Sequence, residues 1–445
     1  MRRIKPLGAA AMIFCASAGN AAAGGFNLDH QNAAALGAAF AGSESRRADA
    51  GFAAYNPASI AGLERAEINL SATGVLPSAR YLNADGTLIG GTPVAGAASG
   101  RGVITDAVVP NLSFAAPVTD RLSVGIVLNA TFGLKTAFAP DSIVRYQAQG
   151  SDLRVLEAAP TAAFEVSPNF RLGASLRIQH MDLSLTSIID AGGVAAANSI
   201  PGFSPGSSDL AADFDVQDIA IGYAVGLQAD LTPRVHGGFA YISKIDHSLN
   251  GDAHFDLASS AAAQILNGAA GLFGADRFTS QFATPATAAL GAEIELSERL
   301  SALASARVMF WSSFERVALA FNDSATPDEI LTQDWKDSVL LSIGAEFDAT
   351  DSTTFRAGFM YDESPVNATF AHPRIPDGDR YWITAGLTRN FGDKLIADIG
   401  AAYAFFSDRP VNLDGAAPEN LFRGALTADF ETEVLAASLR IRYKF

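Results

Sequence analysis

The chain is short of the features that would make it a soluble enzyme or a nucleic-acid protein. It has one cysteine, Cys15, so no disulfide and no cysteine metal cluster can form within it. Basic residues number 31 against 47 acidic ones, a net charge of −16, which disfavours nucleic acid as a partner. The six histidines, at 30, 180, 236, 247, 254 and 372, fall in no nucleophile or metal-ligand pattern, so no catalytic residue, metal or cofactor is expected. Beyond residue 23 no apolar run approaches the roughly 20 residues that a membrane-crossing helix needs. Yet only 18% of residues are charged and 49% are hydrophobic. So apolar a chain, without a membrane helix, needs another way to place its side chains.

Residues 1–23 read as a secretory signal: basic Arg2, Arg3 and Lys5, an apolar stretch from Leu7 to Ala18, then Ala21-Ala22-Ala23 before Gly24. The mature chain is expected to begin near Gly24. Attachment of lipid at Cys15 is disfavoured, because Phe14 precedes it where a small residue is required. An exported, apolar chain without membrane helices fits a transmembrane β-barrel, in which lipid-facing side chains alternate with lumen-facing ones and no single run looks hydrophobic.

The last strand carries the clearest pattern. Leu439, Ile441, Tyr443 and Phe445 alternate with Ser438, Arg440, Arg442 and Lys444; a soluble sandwich can share the period, but a terminal aromatic in this register suits presentation to the barrel insertion machinery. The same alternation recurs in Leu122, Val124, Ile126, Leu128, Ala130 and Phe132, in Ile219, Ile221, Tyr223, Val225 and Leu227, and in Leu395, Ala397, Ile399, Ala401, Tyr403 and Phe405. Arg177, Gln179, Asp218, Gln228, Glu346 and Asp398 lie on opposite faces and are expected in the lumen. Fourteen segments qualify, near 66–77, 108–118, 121–133, 153–167, 170–189, 214–231, 233–250, 279–297, 299–322, 335–349, 352–362, 379–392, 394–407 and 428–445. Tight turns such as Thr119-Asp120, Thr232-Pro233 and Gly392-Asp393 alternate with long connections at 78–107, 134–152, 190–213, 251–278, 323–334, 363–378 and 408–427. Short periplasmic turns and long outer loops are what an even-stranded barrel in a Gram-negative outer membrane requires.

Ahead of the barrel (64–445), residues 24–63 show no strand period, little charge and much Gly and Ala, with Asn56-Pro57-Ala58 near the end. A fourteen-stranded all-β antiparallel barrel has a lumen wide enough to need filling, and this segment is expected to plug it as a hatch.

The run Gly25-Phe26 through Leu36-Gly37-Ala38-Ala39-Phe40-Ala41-Gly42, then Tyr55-Asn56-Pro57-Ala58, resembles the hatch of the FadL-type (long-chain fatty acid) outer-membrane transporters. Further matches follow in order: Tyr241-Ile242-Ser243-Lys244-Ile245-Asp246-His247, Thr284-Pro285-Ala286, Trp311-Ser312-Ser313-Phe314, Trp335-Lys336-Asp337-Ser338, Asp362-Glu363-Ser364-Pro365-Val366 and Ile375-Pro376-Asp377-Gly378-Asp379-Arg380. The resemblance implies a monomer embedded in outer-membrane lipids. It also implies passive uptake of a hydrophobic small molecule, a fatty acid or similar compound: capture between outer loops, transfer to a pocket inside the barrel, displacement of the hatch start, and exit through a gap in the wall.

On this reading Phe26 is the gate residue, with Gly24 and Gly25 beside it, while Asn56, Pro57 and Ala58 fix the hatch shape and thereby affect gating. In the 251–278 loop, Leu257, Ala261, Ile265, Ala269 and Phe273 recur every fourth residue, joined by Leu266 and Leu272, as on an amphipathic helix; with Ile200, Pro201 and Phe203 of the 190–213 loop they are candidates for ligand capture, or for packing on the rim. A fatty-acid carboxylate in an apolar pocket needs a cation. Lys336 is the candidate through the Trp-Lys-Asp match, with a lumen salt bridge as the competing role, and Arg177 and Arg356 are further candidates. Three other functions stand beside this one: a channel for neutral aromatic hydrocarbons, an outer-membrane lipid hydrolase, and an open porin for hydrophilic solutes. The hydrolase lacks a nucleophile motif, and the hatch-like segment argues against the porin.

Overall fold

The computed structural model describes residues 25–445; the expected signal 1–23, Cys15 and the gating residue Gly24 lie outside the described residues. Fourteen antiparallel strands close into a barrel. They are β1 (Glu67–Thr87), β2 (Ala107–Pro117), β3 (Leu122–Ala137), β4 (Gly150–Ser167), β5 (Phe170–Asp190), β6 (Asp209–Thr232), β7 (Val235–Ile242 and Ile245–Phe255), β8 (Asp276–Thr284 and Thr287–Glu295), β9 (Leu300–Met309), β10 (Ser338–Thr350), β11 (Thr353–Asp362), β12 (Arg380–Phe391), β13 (Leu395–Phe406) and β14 (Ala425–Lys444). Closure is by β1 against β14, from Glu67↔Lys444 to Thr87↔Ala425 with one register shift between Leu82 and Asp85. With β1 paired to β14, the sheet has no terminal edge strand open to lipid.

Two-residue alternation sorts the side chains as expected over the lipid-facing band. On β14, Leu439, Ile441, Tyr443 and Phe445 are exposed while Ser438, Arg440 and Arg442 are buried. On β6, Ile219, Ile221, Tyr223 and Val225 face outward. Above Ile219 the outward face of β6 turns polar, with Asp213, Asp215 and Gln217 exposed, yet the ladder continues, as in Thr186↔Asp213. This is why several strands outrun their expected ends: β1 reaches Thr87 instead of 77, and β6 begins at Asp209 instead of 214. The backbone stays paired where no lipid demands an apolar face, so the outer loops are shorter than hydropathy implies.

A second departure sits in β3. A bulge between Ala130 and Phe132 shifts the register, and Asn129 to Leu134 are all buried. Phe132, expected on the lipid face with Leu122 to Leu128, therefore turns inward, because an extra residue at a bulge flips the faces beyond it; Ala130, expected on the same face, is buried just ahead of the shift. Other strands break higher up: β7 at Ser243-Lys244, β8 at Pro285-Ala286, and β9 after Met309. Past the β9 break, Arg316–Phe321 pairs with Glu329–Thr332 as a hairpin, tied to β8 at Phe278↔Phe321 and Thr279↔Ala320 and through the Asp276 carboxylate, which accepts from the Asp323 and Ser324 amides.

Residues 25–63 are mostly buried and contact β2, β4 to β8 and β11 to β14, so they fill the lumen as expected. Their helix α1 (Ala33–Gly37) is capped by Asn32, whose side chain accepts from the Ala34 and Ala35 amides. It lies backbone against backbone on the wall: a Cβ at Gly37 would meet Gly386 Cα at 2.7 Å, and one at Gly400 would meet the Ala33 carbonyl at 2.4 Å.

Candidate functional site

The first residues of the lumen segment lie in a defect of the wall. The β2–β3 ladder ends at Asn111↔Asn129; beyond it β2 pairs only with β1 and β3 only with β4. Higher up the seam closes again, where Val103 and Thr105 bond to Ala137 and Lys135. In the interval the free edge of β3 is satisfied from inside: the Leu28 amide donates to Thr131 O at 2.9 Å and the Gly133 amide to Phe26 O at 2.9 Å. Asn27 thus bridges Phe132 as a one-residue strand. The β3 bulge is what opens the window, and the segment 26–28 is what shuts it.

Phe26, 1% exposed, lies among five aromatic rings, with centroids at 4.7 Å (Trp311), 5.5 Å (Phe282), 5.6 Å (Trp335), 5.7 Å (Phe314) and 5.9 Å (Phe132). Next to it, the Gly25 amide donates to Asp377 at 3.1 Å. Gly25 has φ +67°, and a Cβ there would meet Trp335 at 2.6 Å, so the position requires glycine on both counts.

Above Phe26 is an apolar cavity of about 60 Å³ lined by Phe26, Leu134, Leu153, Leu183, Leu185, Phe282, Phe314, Val317, Leu331 and Ile375, with Ser151, Gln333 and Arg374 as its polar members. That is far below the roughly 300–1,000 Å³ of ordinary ligand pockets. Further out, a groove of about 520 Å³ opens between the loops, lined by Ile188, Ile189, Phe214, Phe255, Leu272, Phe273 and Phe321, with Glu329 and Arg423 among its polar residues.

The body of the lumen segment is held by charge. Asp49 pairs with Arg440 at 3.0 Å and Arg442 at 2.7 Å, Arg440 with Asp398 at 2.6 Å, Arg442 with Glu67 at 2.9 Å, and Arg46 with Glu346 at 2.5 Å. Asn56 bonds in both directions: its Oδ1 accepts from the Ala58 amide at 2.9 Å, and its Nδ2 donates to Glu44 O at 2.7 Å and to Leu227 O of β6 at 3.1 Å. Pro57 sits so close to β5 that a Cβ at Gly173 would meet its carbonyl carbon at 2.3 Å. Asn56-Pro57-Ala58 therefore rivets the segment to the wall.

The other candidates are dispersed. Leu272 and Phe273 line the groove. Leu257 and Phe203 pack partly buried on the upper core. The expected continuous helix is instead a short turn, Leu257–Ser259, followed by α2 (Ala261–Ala270). Ala262, Ala263 and Leu266 are its buried face, while Ile265 is 46% exposed; the fourth-residue spacing misplaced the stripe because Ser260 interrupts the helix in extended conformation. Lys336 pairs with Glu363 at 2.6 Å, with a side chain 54% exposed, and does not line the cavity; its neighbour Trp335 turns inward instead. Arg177 pairs with Glu157 at 2.6 Å and lines a separate polar cavity beside Asp29 and Arg307. Arg356 pairs with Glu346 at 2.5 Å beneath the lumen segment. Arg374 and Phe282 were not singled out from sequence, and Asp377 only as part of the Ile375–Arg380 match: Arg374 and Asp377 stand in a loop, where no period marks a face, while Phe282 lies on the inward face of β8.

A family model described as outer membrane protein transport protein (OMPP1/FadL/TodX) matches residues 14–445. A putative outer membrane protein of Neisseria meningitidis serogroup B is 26% identical over 444 residues, covering 95% of each chain. A long-chain fatty acid transport protein of Escherichia coli O6:H1 is 26% identical over 399 residues, covering 85% of this chain and 86% of that one. Among solved structures, a Pseudomonas aeruginosa FadL homologue superposes with TM-score 0.85 at 24% identity, covering 95% of this chain and all of its own.

Proposed function

The chain belongs to the outer membrane protein transport family (OMPP1/FadL/TodX), whose members carry hydrophobic compounds across the outer membrane and are not enzymes, and from that premise we propose that it takes up long-chain fatty acids by passive diffusion. The ligand is captured in the groove floored by Phe214 and Phe255 and enters the cavity below. There it displaces Phe26 and leaves through the β2–β3 window into the bilayer. We read residues 24–63 as the hatch of this transporter.

The single observation that carries the reading is the double duty of residues 26–28: Phe26 floors the cavity, and the backbone around it closes the window. A ligand that inserts among Trp311, Phe314 and Trp335 competes with the Phe26 ring for the same surface, so filling the cavity and opening the exit become one event. The fatty-acid assignment draws support from the Escherichia coli relative named for that cargo.

The test uses a reversible lock. Asn27→Cys with Phe132→Cys places two thiols at the bridged pair, where cross-strand spacing suits a disulfide. Uptake of a labelled long-chain fatty acid by cells carrying this variant is expected to stop under oxidant and return under reductant. Transport that persists with the lock closed would rule out hatch displacement as the exit step.

A further inference from the structure

The wall has a second gap, between β8 and β9. Their ladder ends at Thr287↔Met309, with the Phe310 amide donating to Ala286 O at 2.9 Å just above it. Pairing resumes at Thr279↔Ala320, on the hairpin. On this side residues 280–285 have no ladder partner among the described residues, and no segment stands in for one as 26–28 does at β2–β3. A cleft of about 770 Å³ occupies the gap, and Gln281, Glu315 and Arg316 of its lining are exposed. Just before Lys244, at its lower end, Tyr241 meets the exposed ring of Tyr223 with centroids 6.2 Å apart, as in the aromatic girdle that marks a membrane surface. The cleft thus opens to water at the edge of the lipid-facing band.

Its lining is polar at the mouth and aromatic at the floor. The charges balance: Lys244 pairs with Asp246 at 2.8 Å, Glu315 stands beside Arg316, and His247 at the inner edge pairs with Asp218 at 3.0 Å. Ser280, 7% exposed, has a hydroxyl with no hydrogen-bond partner among the described residues, a cost that a polar group entering the cleft removes. Next on the same inward face is Phe282, whose ring lies 5.2 Å from that of Phe314. Both rings line the cleft and the inner cavity alike, so the two spaces share this pair as a wall. Both also touch Phe26, at 5.5 and 5.7 Å, and its withdrawal takes away the third ring that braces them.

We propose that the β8–β9 gap is a side entrance to the inner cavity, taking small neutral amphiphiles that carry one hydrogen-bonding group on an aromatic or short alkyl body. The proposal rests on the transport reading above and adds to it a second point of entry and a second class of cargo. The body of such a molecule replaces the Phe314 ring on Phe282, while its hydroxyl bonds Ser280 and the free backbone groups of 280–285. A hydrocarbon leaves those groups unmatched. A carboxylate gives up its hydration for a lining that carries no net charge.

Three measurements on the full-length protein test this. Ser280→Cys puts a thiol in the cleft, while the chain's own Cys15 lies in the expected signal. A charged, membrane-impermeant thiol reagent is expected to modify it on intact cells, and a thiol that stays unmodified overturns the entrance. In lipid nanodiscs, with uptake by empty discs subtracted, the unaltered protein should bind para-propylphenol about fivefold more tightly than propylbenzene, the worth of one neutral hydrogen bond. Ser280→Ala should remove that preference and leave propylbenzene as it was; a preference kept in Ser280→Ala, or absent from the unaltered protein, overturns the site. Ala318→Trp, which fills the mouth of the cleft, should suppress uptake of labelled para-propylphenol by cells and leave palmitate uptake intact. Unchanged uptake of the phenol overturns the entrance. Should Ala318→Trp lose both cargoes, Ala283→Trp on the opposite lip decides by the same comparison, and equal loss there overturns it. Palmitate uptake missing from the unaltered protein sinks the transport reading alone, because binding of the phenol at Ser280 is read separately.

Discussion

The body of the hatch is held to the wall by buried ion pairs that its tip lacks, in addition to apolar packing of Leu36, Phe40 and Phe52. The body, from α1 to Ile60, is fixed by buried ion pairs through Asp49 and Arg46 and by glycine-to-glycine contact with β12. None of these is replaceable by an apolar ligand. Removing one partner of a buried pair costs about 3–5 kcal/mol, so the body stays put in the presence of a fatty acid. The tip, Gly25 to Leu28, is held by two backbone hydrogen bonds, one bond to Asp377 and the apolar packing of Phe26 and Leu28. Aromatic packing is non-directional and an alkyl chain can substitute for it. The comparison teaches how a plug can be both secure and openable: charge where nothing moves, hydrocarbon where the cargo is hydrocarbon.

The comparison breaks most severely if the body is released. Asp49→Ala leaves Arg440 and Arg442 facing each other with only Asp398 and Glu67 as counter-ions, and should destabilise the hatch by about 3–5 kcal/mol while leaving the strand ladders of the wall intact. In planar bilayers the variant is expected to show a steady ion conductance that the unaltered protein lacks. A barrel that stays sealed would mean that close packing, and not charge, secures the body.

Phe26→Ala acts on the other side of the comparison. Truncating a buried phenyl ring costs about 3 kcal/mol or more, concentrated here in the tip. Amide exchange at residues 26–28 should accelerate by about two orders of magnitude, the exponential of that cost, with the amides of α1 unchanged. Equal acceleration in α1 would show that tip and body move as one unit.

Sequence made the body easier to foresee than the tip. Alternation along β14 places Arg440 and Arg442 in the lumen, and Asn56-Pro57-Ala58 marks a capped turn, so wall and plug are both legible from local chemistry. The window is not, because it comes from one extra residue at Ala130-Phe132, and alternation read through a bulge puts Phe132 on the wrong face. Arg374 escaped for a different reason. It lies between His372 and Pro376 in an outer loop, where nothing periodic fixes direction, and only the return of that loop over β4 and β5 gives it Gly150 and Thr186 as partners. Side chains that act through long-range closure of a loop leave no local signature.

The smallest effect is expected at Lys336, and it sharpens the comparison because its neighbour belongs to the tip. Trp335 is 3% exposed and touches the Phe26 ring, whereas the Lys336 ammonium points to solvent beside Glu363. An exposed ion pair contributes roughly 0–1 kcal/mol. Lys336→Ala should therefore leave the affinities for palmitate and its methyl ester within about twofold of the unaltered protein, a change inside that range. Trp335→Ala, by contrast, should loosen the tip much as Phe26→Ala does. A selective loss of palmitate binding in Lys336→Ala would place a head-group contact at the rim, and would mean that the loop carrying Lys336 turns inward when ligand is bound.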